Sequence, residues 1–461
     1  MDCGKERSGR SAAYGIRGEK GEQMKKIVVF FLTMLYMAGL NACAFFPGAE
    51  GDRPAEMQSV SPAGKDSITE NEHLSGIITD GSETVKTKEK NCLTVHIDPI
   101  RHEAFDPNTG ETLILTFAYD SARVFMDNDP GTAEKINKML GMMDEAYYSG
   151  TLDGESNGFG YQAMLSEAED QYALRVDPDR EGTESALFSQ RSISSIKASD
   201  AFLEFSWLYY DYLGGAHGSY ALRTDIFDTE TGEKLRLCDL FREGYDYRGT
   251  ILARMITLTE EDADNYYSER TSLIEPENRE DALYALIRDG SWCFTDDGIR
   301  FTSDLYELGP YASGLCEYEI PYEVFGDSIR DKFLLQEPIS DDIADVTFVS
   351  LSDRMDQGYE IIDRAVIHSD GEDLLLNVRN SVQDLRIYSV SYLDAFQSRT
   401  MLWYGNYLKN AAVQLQLHDP QGMPDIMICY RDSEGEHTML VQHDAGSGFS
   451  LINKEQIIAV G

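Results

Sequence analysis

His217 stands in a frame of small residues, Gly214-Gly215-Ala216-His217-Gly218, just after the aromatic run Tyr209-Tyr210-Asp211-Tyr212. An imidazole beside closely approaching backbone could move a proton or hold a metal. Neither chemistry finds partners in the sequence. The eight histidines (73, 96, 102, 217, 368, 418, 437 and 443) contain no pair at metal-ligand spacing, and no serine–histidine–acid or histidine–carboxylate set can be read around His217. The pattern assigns His217 a structural task, donating to a neighbouring carbonyl or carboxylate and locking a turn. Gly214, Gly215 and Gly218 would supply positive φ and close backbone approach there. Asp177-Pro178-Asp179-Arg180-Glu181-Gly182 begins like a calcium loop, but the twelfth position, where a bidentate glutamate belongs, is Phe188. It reads as a solvated turn. No catalytic residue, metal ligand or cofactor is assigned.

Cys43 carries a different chemistry. Met24-Lys25-Lys26 gives a charged start, and Ile27 to Leu40 follows as an uncharged apolar run of export-signal length. The run ends in Leu40-Asn41-Ala42-Cys43, which resembles the lipobox of bacterial lipoproteins. In that family the cysteine thiol takes a diacylglycerol and becomes the new N-terminus after cleavage. The alternative is an uncleaved signal-anchor reaching Phe46. Both place Lys25 and Lys26 inside and everything beyond Pro47 on the extracytoplasmic face of the cell membrane. Residues 1–23 read as an N-terminal extension or a misplaced start.

Charge excludes some partners. The chain has 40 basic and 81 acidic residues, −41. Removing residues 1–42 leaves 33 basic and 77 acidic, −44. Such a surface repels nucleic acid and anionic headgroups, and attracts basic partners. Beyond Cys3 and Cys43, five cysteines remain (Cys92, Cys238, Cys293, Cys316 and Cys429), without CxxC or metal spacing. A disulfide such as Cys293–Cys316 is open outside the cell, and sequence does not assign it.

The elements that must position these residues follow from periodicity. Residues 43–90, rich in Gly, Ser, Pro and charge, read as a flexible tether. Strands are expected at Cys92–Ile97, Thr112–Tyr119, Arg191–Ile196, Ala201–Tyr212 and Ser219–Phe227, with turns at Asp106–Gly110 and Asp228–Glu233. Helices are expected at Thr132–Tyr148, where Ile136, Leu140, Met143 and Tyr147 share a face, and at Tyr161–Leu174, 246–260 and 279–288. Trp292–Phe294 and Ile299–Phe301 flank a hairpin at Asp297-Gly298, and a short helix could begin at Ile320-Pro321-Tyr322 and run through Phe325. After Pro338, short alternating segments (Val346–Leu351, Leu374–Val378, Val413–Leu417, Asp425–Tyr430, Thr438–Gln442) predict a small β-rich domain, 338–461.

The stretch Tyr209–Gly218, then Phe227-Asp228-Thr229-Glu230-Thr231-Gly232-Glu233-Lys234-Leu235 and Asp239-Leu240-Phe241, resembles the extracellular domain of RsiV-type anti-sigma factors. That domain also occurs beside polysaccharide deacetylase domains. Phe294–Ile299 and Pro310-Tyr311-Ala312-Ser313-Gly314 match the family's later hairpin and its PYAAG-like turn. The resemblance spans about 92–336. It implies a module at 91–337 (halves 91–198 and 199–337) that binds lysozyme, a small basic enzyme. It also marks Tyr212, Gly214, Gly215, Ala216, His217, Gly218 and Tyr311 as a binding or structural motif. No cytoplasmic sigma-binding region is present, so anti-sigma output is not expected. Phe294-Thr295-Asp296-Asp297-Gly298 looks like the deacetylase TFDDG, but its order is altered and the companion HxxxH is missing, so it reads as a hairpin turn.

The expectation is an α+β fold, an antiparallel sheet with packed helices followed by a small mostly-β domain. Its function would be a surface lipoprotein that binds a lysozyme-like basic protein or cell-wall glycan (peptidoglycan). The competing class is a cell-envelope hydrolase or deacetylase, or an accessory of one, with an unidentified active site.

Overall fold

Alternating apolar residues and a few continuous apolar runs build one large sheet, onto which helices and a second small sheet pack. The computed structural model describes residues 92–152, 155–156, 160–175, 186–262, 264–334, 343–350, 360–365, 373–393, 396–416, 425–444 and 448–453. Cys43 with its apolar leader, the 43–90 tether, Asp177–Gly182 and the 337–342 boundary lie outside them.

The strands are β1 (Leu93–Phe105), β2 (Leu113–Met126), β3 (Thr151–Leu152), β4 (Glu155–Ser156), β5 (Leu187–Ala198), β6 (Phe202–Tyr212), β7 (Ser219–Asp228), β8 (Trp292–Phe294), β9 (Gly298–Thr302), β10 (Glu317–Pro321), β11 (Asp345–Ser350), β12 (Glu360–Ala365), β13 (Asp373–Leu393), β14 (Phe396–Gln416), β15 (Asp425–Asp432), β16 (Gly435–Asp444) and β17 (Gly448–Asn453). The helices are α1 (Pro130–Ser149), α2 (Tyr161–Arg175), α3 (Tyr247–Glu260), α4 (Tyr266–Arg270) and α5 (Arg279–Ala285). The large sheet runs β17-β16-β15-β13-β14-β1-β2-β5-β6-β7, with β11 on β13 and β12 on β14. Its ladders are antiparallel except β2–β5 and β12–β14. The fold is α+β.

Helix α1 begins where Asp129 accepts from the Thr132 amide at 3.0 Å, with Pro130 in its first turn, and ends at Gly150 with φ 65°. The face expected from spacing is the face it buries: Ile136 and Leu140 are fully enclosed, while Met143 and Tyr147 are half-buried. Ile136, Leu140 and Met143 pack on Leu93, Val95, Val124, Phe205 and Trp207, and Tyr147 stacks on Phe117. Each fully buried Phe contributes about 1.5–3 kcal/mol through the area it removes from water. The helix also completes the sheet. The Asn137 side-chain amide accepts from the Val124 amide (2.7 Å) and donates to its carbonyl (2.8 Å), standing in for a neighbouring strand.

The three-stranded sheet β10-β9-β8 packs with α3 and α5 around Ile251, Met255, Leu283, Phe301 and Tyr318. Phe294 on β8 stacks on Phe202 of β6, centroids 4.0 Å apart, tying this layer to the large sheet. The helix expected at 279–288 ends at Ala285, and the turn at Tyr322–Ser328 is 3-10 in character.

The C-terminal segment departs further from expectation. The expected piece at 374–378 and residues 413–416 of the expected 413–417 piece belong to two 21-residue strands, β13 and β14. Asn380, Asp384 and Asn410 take positive φ (63°, 50° and 47°), and the β13–β14 register shifts between Val378 and Ser381. These bulges carry the polar stretch without ending the ladder. The segment has its own core around Val382, Leu385, Ile387, Trp403 and Ile428. Its sheet nevertheless continues into the module, because β14 pairs β1 at Thr94↔Gly405, Val95↔Tyr404 and His96↔Trp403.

Candidate functional site

The loop from β6 to β7 follows from its glycines. Gly214 and Gly215 take φ of 84° and 115°, where a side chain would be strained, and the Tyr212 hydroxyl donates to the Gly215 carbonyl at 3.1 Å. At Gly218 the constraint is space: a Cβ would lie 2.4 Å from the Tyr210 hydroxyl. The loop turns tightly, and Ala216 and His217 are left exposed.

His217 is held from three sides. Its Nδ1 lies 3.0 Å from the Gly218 carbonyl, which can only accept, so Nδ1 carries the proton. Its Nε2 faces the Tyr306 hydroxyl at 3.4 Å. Its ring stacks on Tyr311, centroids 3.7 Å apart and planes 20° from parallel. Tyr306 and Tyr220 flank Tyr311 at 6.0 and 6.4 Å. The residues singled out by sequence, Tyr212, Gly214 to Gly218 and Tyr311, therefore come together in one patch. Among the described residues, no serine, cysteine or carboxylate is bonded to the His217 ring.

Tyr306 escaped the sequence reading. It is 42% exposed and sits at φ 63°, a left-handed conformation that costs a non-glycine residue about 1–2 kcal/mol. Its loop is clamped by Arg223 on Asp304 (2.6 Å) and by Arg288 on Asp304 and Glu307 (3.2 and 2.6 Å). Nothing in its spacing announces this; the adjacent Gly309-Pro310 turn was the available signal.

An acidic border adjoins the patch. Residues 260–281 contain nine acidic and two basic side chains, and Glu260, Glu261, Asp264, Glu269, Glu275, Glu277, Glu280 and Asp281 are exposed. The border is fixed beside the rings: the Ser313 hydroxyl donates to the Glu269 carbonyl (2.9 Å), and the Leu273 amide to the Leu308 carbonyl (3.2 Å). A Cβ on Gly309 would meet the Arg270 carbonyl at 2.4 Å. Leu273 is 58% exposed.

A second polar cluster lies inside the fold. The fully buried Arg191 touches Asp144, donates to the Met143 and Asp120 carbonyls (3.2 and 3.1 Å), and lies 4.7 Å over the Trp207 ring. Asp120 accepts the Ile193 amide at 2.8 Å, and burial pushes its carboxyl up to about 6. Ser189 donates to Asp211 (2.6 Å) and lies 2.9 Å from the Tyr147 hydroxyl, so Tyr147 donates in turn. Burial also raises Asp211 to about 6. Glu204 accepts the Phe294 amide at 2.8 Å, and burial raises it to about 7. Apart from the Arg191 Nε, which has no partner, these groups are hydrogen-bonded within the fold.

The remaining motifs are structural in place. In Phe294–Gly298 the Thr295 amide donates to the Gly298 carbonyl (2.9 Å), and Asp296, 62% exposed, pairs with Lys197 and Arg431. A Cβ on Gly298 would meet the Ile320 carbonyl at 2.2 Å, which explains the glycine. No group of three or more His, Cys, Asp or Glu among the described residues could hold a metal. Cys92, Cys238, Cys293, Cys316 and Cys429 form no disulfide with one another, and burial pushes Cys293 and Cys316 up to about 12. Cys293 lies on β8 opposite Arg300 of β9, whereas Cys316 precedes β10 and exchanges hydrogen bonds with Ser303, so the two do not face each other. Among the described residues no helix is long and apolar enough to cross a membrane.

The chain carries a DUF3298 domain, described as a protein of unknown function, at residues 238–323. This interval includes Tyr306 and Tyr311 and leaves the 214–218 loop outside it. A DUF3298 family member from Bacteroides fragilis is similar in structure, with 18% identity over 52% of this chain and 94% of that one, TM-score 0.36. A DUF3298 family protein from Pseudomonas aeruginosa gives 15% identity over 51% and 94%, TM-score 0.34. No curated protein matches.

Proposed function

We propose that this chain is a lipoprotein, anchored through Cys43 at the outer face of the cell membrane, whose module binds an extracellular basic protein of the lysozyme class. The observation that carries this reading is the cluster of exposed His217 and Tyr306 around half-buried Tyr311, fixed beside the acidic 260–281 border. Tyrosines supply large, rigid contact area and recur among residues that dominate binding energy. The carboxylates around them steer a cation and pair with its lysines and arginines. The RsiV-type resemblance of 92–336 supports the same class of ligand. A lipid on Cys43 would retain the binding module at the surface.

A second reading, binding of cell-wall glycan, rests on the same rings, because exposed aromatic faces stack on sugars. The two separate by salt. Retention of lysozyme by the full chain in detergent should weaken steeply as salt rises, since exposed charges are screened within about 10 Å at 0.1 M. Salt-insensitive retention on purified peptidoglycan, with none on lysozyme, would replace the first reading by the second. Anchoring is tested by palmitate labelling, which should disappear in Cys43→Ala.

A further inference from the structure

The chain contains the same turn twice. Phe105-Asp106-Pro107-Asn108-Thr109-Gly110-Glu111-Thr112-Leu113 and Phe227-Asp228-Thr229-Glu230-Thr231-Gly232-Glu233-Lys234-Leu235 share Phe-Asp, Thr-Gly-Glu and Leu at equal spacing. Their geometry agrees as well. Asp106 accepts the amides of Asn108 and Thr109 (3.1 and 3.0 Å), and Asp228 those of Glu230 and Thr231 (both 2.9 Å). Gly110 and Gly232 take φ of 69° and 73°, and each donates to the carbonyl of its aspartate at 2.8 Å.

Their surroundings differ. The second turn is occupied by two lysines and a helix. Lys135 of α1 donates to the Thr231 carbonyl (2.8 Å), Thr132 to the Glu230 carbonyl (3.4 Å), and Lys332 pairs with Asp228 (2.8 Å) and Glu230 (3.5 Å). Phe227 beneath it is fully buried. At the first turn, Pro107 to Thr112 are exposed, and no donor among the described residues reaches the Asn108 or Thr109 carbonyl. Phe105, the counterpart of Phe227, is 46% exposed. One copy shows what this turn holds; the other offers the same backbone acceptors, with Asn108 in place of Glu230, an unburied ring and Glu111 alongside. Helix α1 is already engaged by the second copy, so it does not serve the first.

We infer that the 105–112 turn is a second docking site, taking a lysine-bearing face of a basic protein much as 228–233 takes Lys135 on its Thr231 carbonyl. The partner's ammonium would bond the Thr109 carbonyl and pair with Glu111, and its apolar flank would cover Phe105. This goes beyond the Tyr311 patch and does not depend on lysozyme as the ligand.

The test uses the full chain in detergent and a defined probe, an amphipathic helical peptide of leucine and lysine, with amide hydrogen exchange as the map. Bound peptide should slow exchange across 106–113 while leaving 228–235 unchanged. The double variant Phe105→Ser, Glu111→Lys should weaken binding about tenfold. Glu275→Lys, a matched charge change in the acidic border, should leave the 106–113 protection in place. Protection confined to 260–281, with equal affinity for the double variant, would overturn the inference and leave the Tyr311 patch untouched. Loss of lysozyme binding with 106–113 still protected would overturn the patch alone.

Discussion

The cluster around Arg191 and the cluster around His217 rest on the same strand pair, β5–β6, or the loop that leaves it, yet they spend their polar groups in opposite ways. Inside, Arg191 satisfies a carboxylate, two carbonyls and an aromatic face at once. Asp120, Asp211 and Glu204 each accept a hydrogen bond in surroundings dry enough to raise their carboxyls. Outside, His217 has one firm hydrogen bond and a stacked ring, and Tyr306 stays exposed in a conformation that costs energy. Burial makes the difference. A dry polar group is costly to leave unpaired and therefore sets stability, whereas a wet cluster keeps surface for a ligand.

Breaking the inner cluster should cost most. Arg191→Leu leaves Asp144 without its buried cation and should destabilise by about 3–5 kcal/mol in urea unfolding. A change below 1 kcal/mol would mean the pair is not structural. Next comes Glu204. Its folded carboxyl, at about 7, lies above its unfolded range, so the folded state binds more protons. Its penalty is absent below the unfolded value near 4.5, grows as pH rises, and is complete above about 7, on the order of 3 kcal/mol. Glu204→Gln should flatten that decline, and an unchanged pH profile would remove the assignment. Gly218→Ala pushes a Cβ onto Tyr210 and should cost about 2 kcal/mol while dislodging the loop. The outer cluster should show the smallest stability effect. Tyr306→Gly relieves the positive φ and should shift stability by no more than about 1 kcal/mol, upward, while weakening ligand binding.

Legibility in the sequence follows the same division. Periodicity announced the burying face of α1 through Ile136, Leu140, Met143 and Tyr147, because an amphipathic helix writes its core at fixed spacing. Glycines announced the 214–218 loop, because backbone geometry dictates glycine locally. Arg191 stayed hidden: it opens the strand expected at Arg191–Ile196, but only tertiary contact shows its partners. Tyr306 stayed hidden because its left-handed conformation is imposed by ion pairs from distant Arg223 and Arg288. The lengths of β13 and β14 were missed because bulges at Asn380 and Asp384 interrupt the alternation that marks a strand. Meanwhile the fold sets Cys293 on β8 against Arg300 and Cys316, ahead of β10, against Ser303, something their spacing in the chain left open.

The central claim is that the exposed aromatic patch, with its acidic border, captures a basic protein. Calorimetric titration of lysozyme into the full chain in detergent, beside the double variant Tyr306→Ala, Tyr311→Ala, tests it most directly. The account predicts binding at low salt that weakens as salt rises, and a loss of at least about tenfold in the double variant, with its unfolding midpoint nearly unchanged. Equal binding by the double variant, or none by the unmodified chain at low salt, would contradict it.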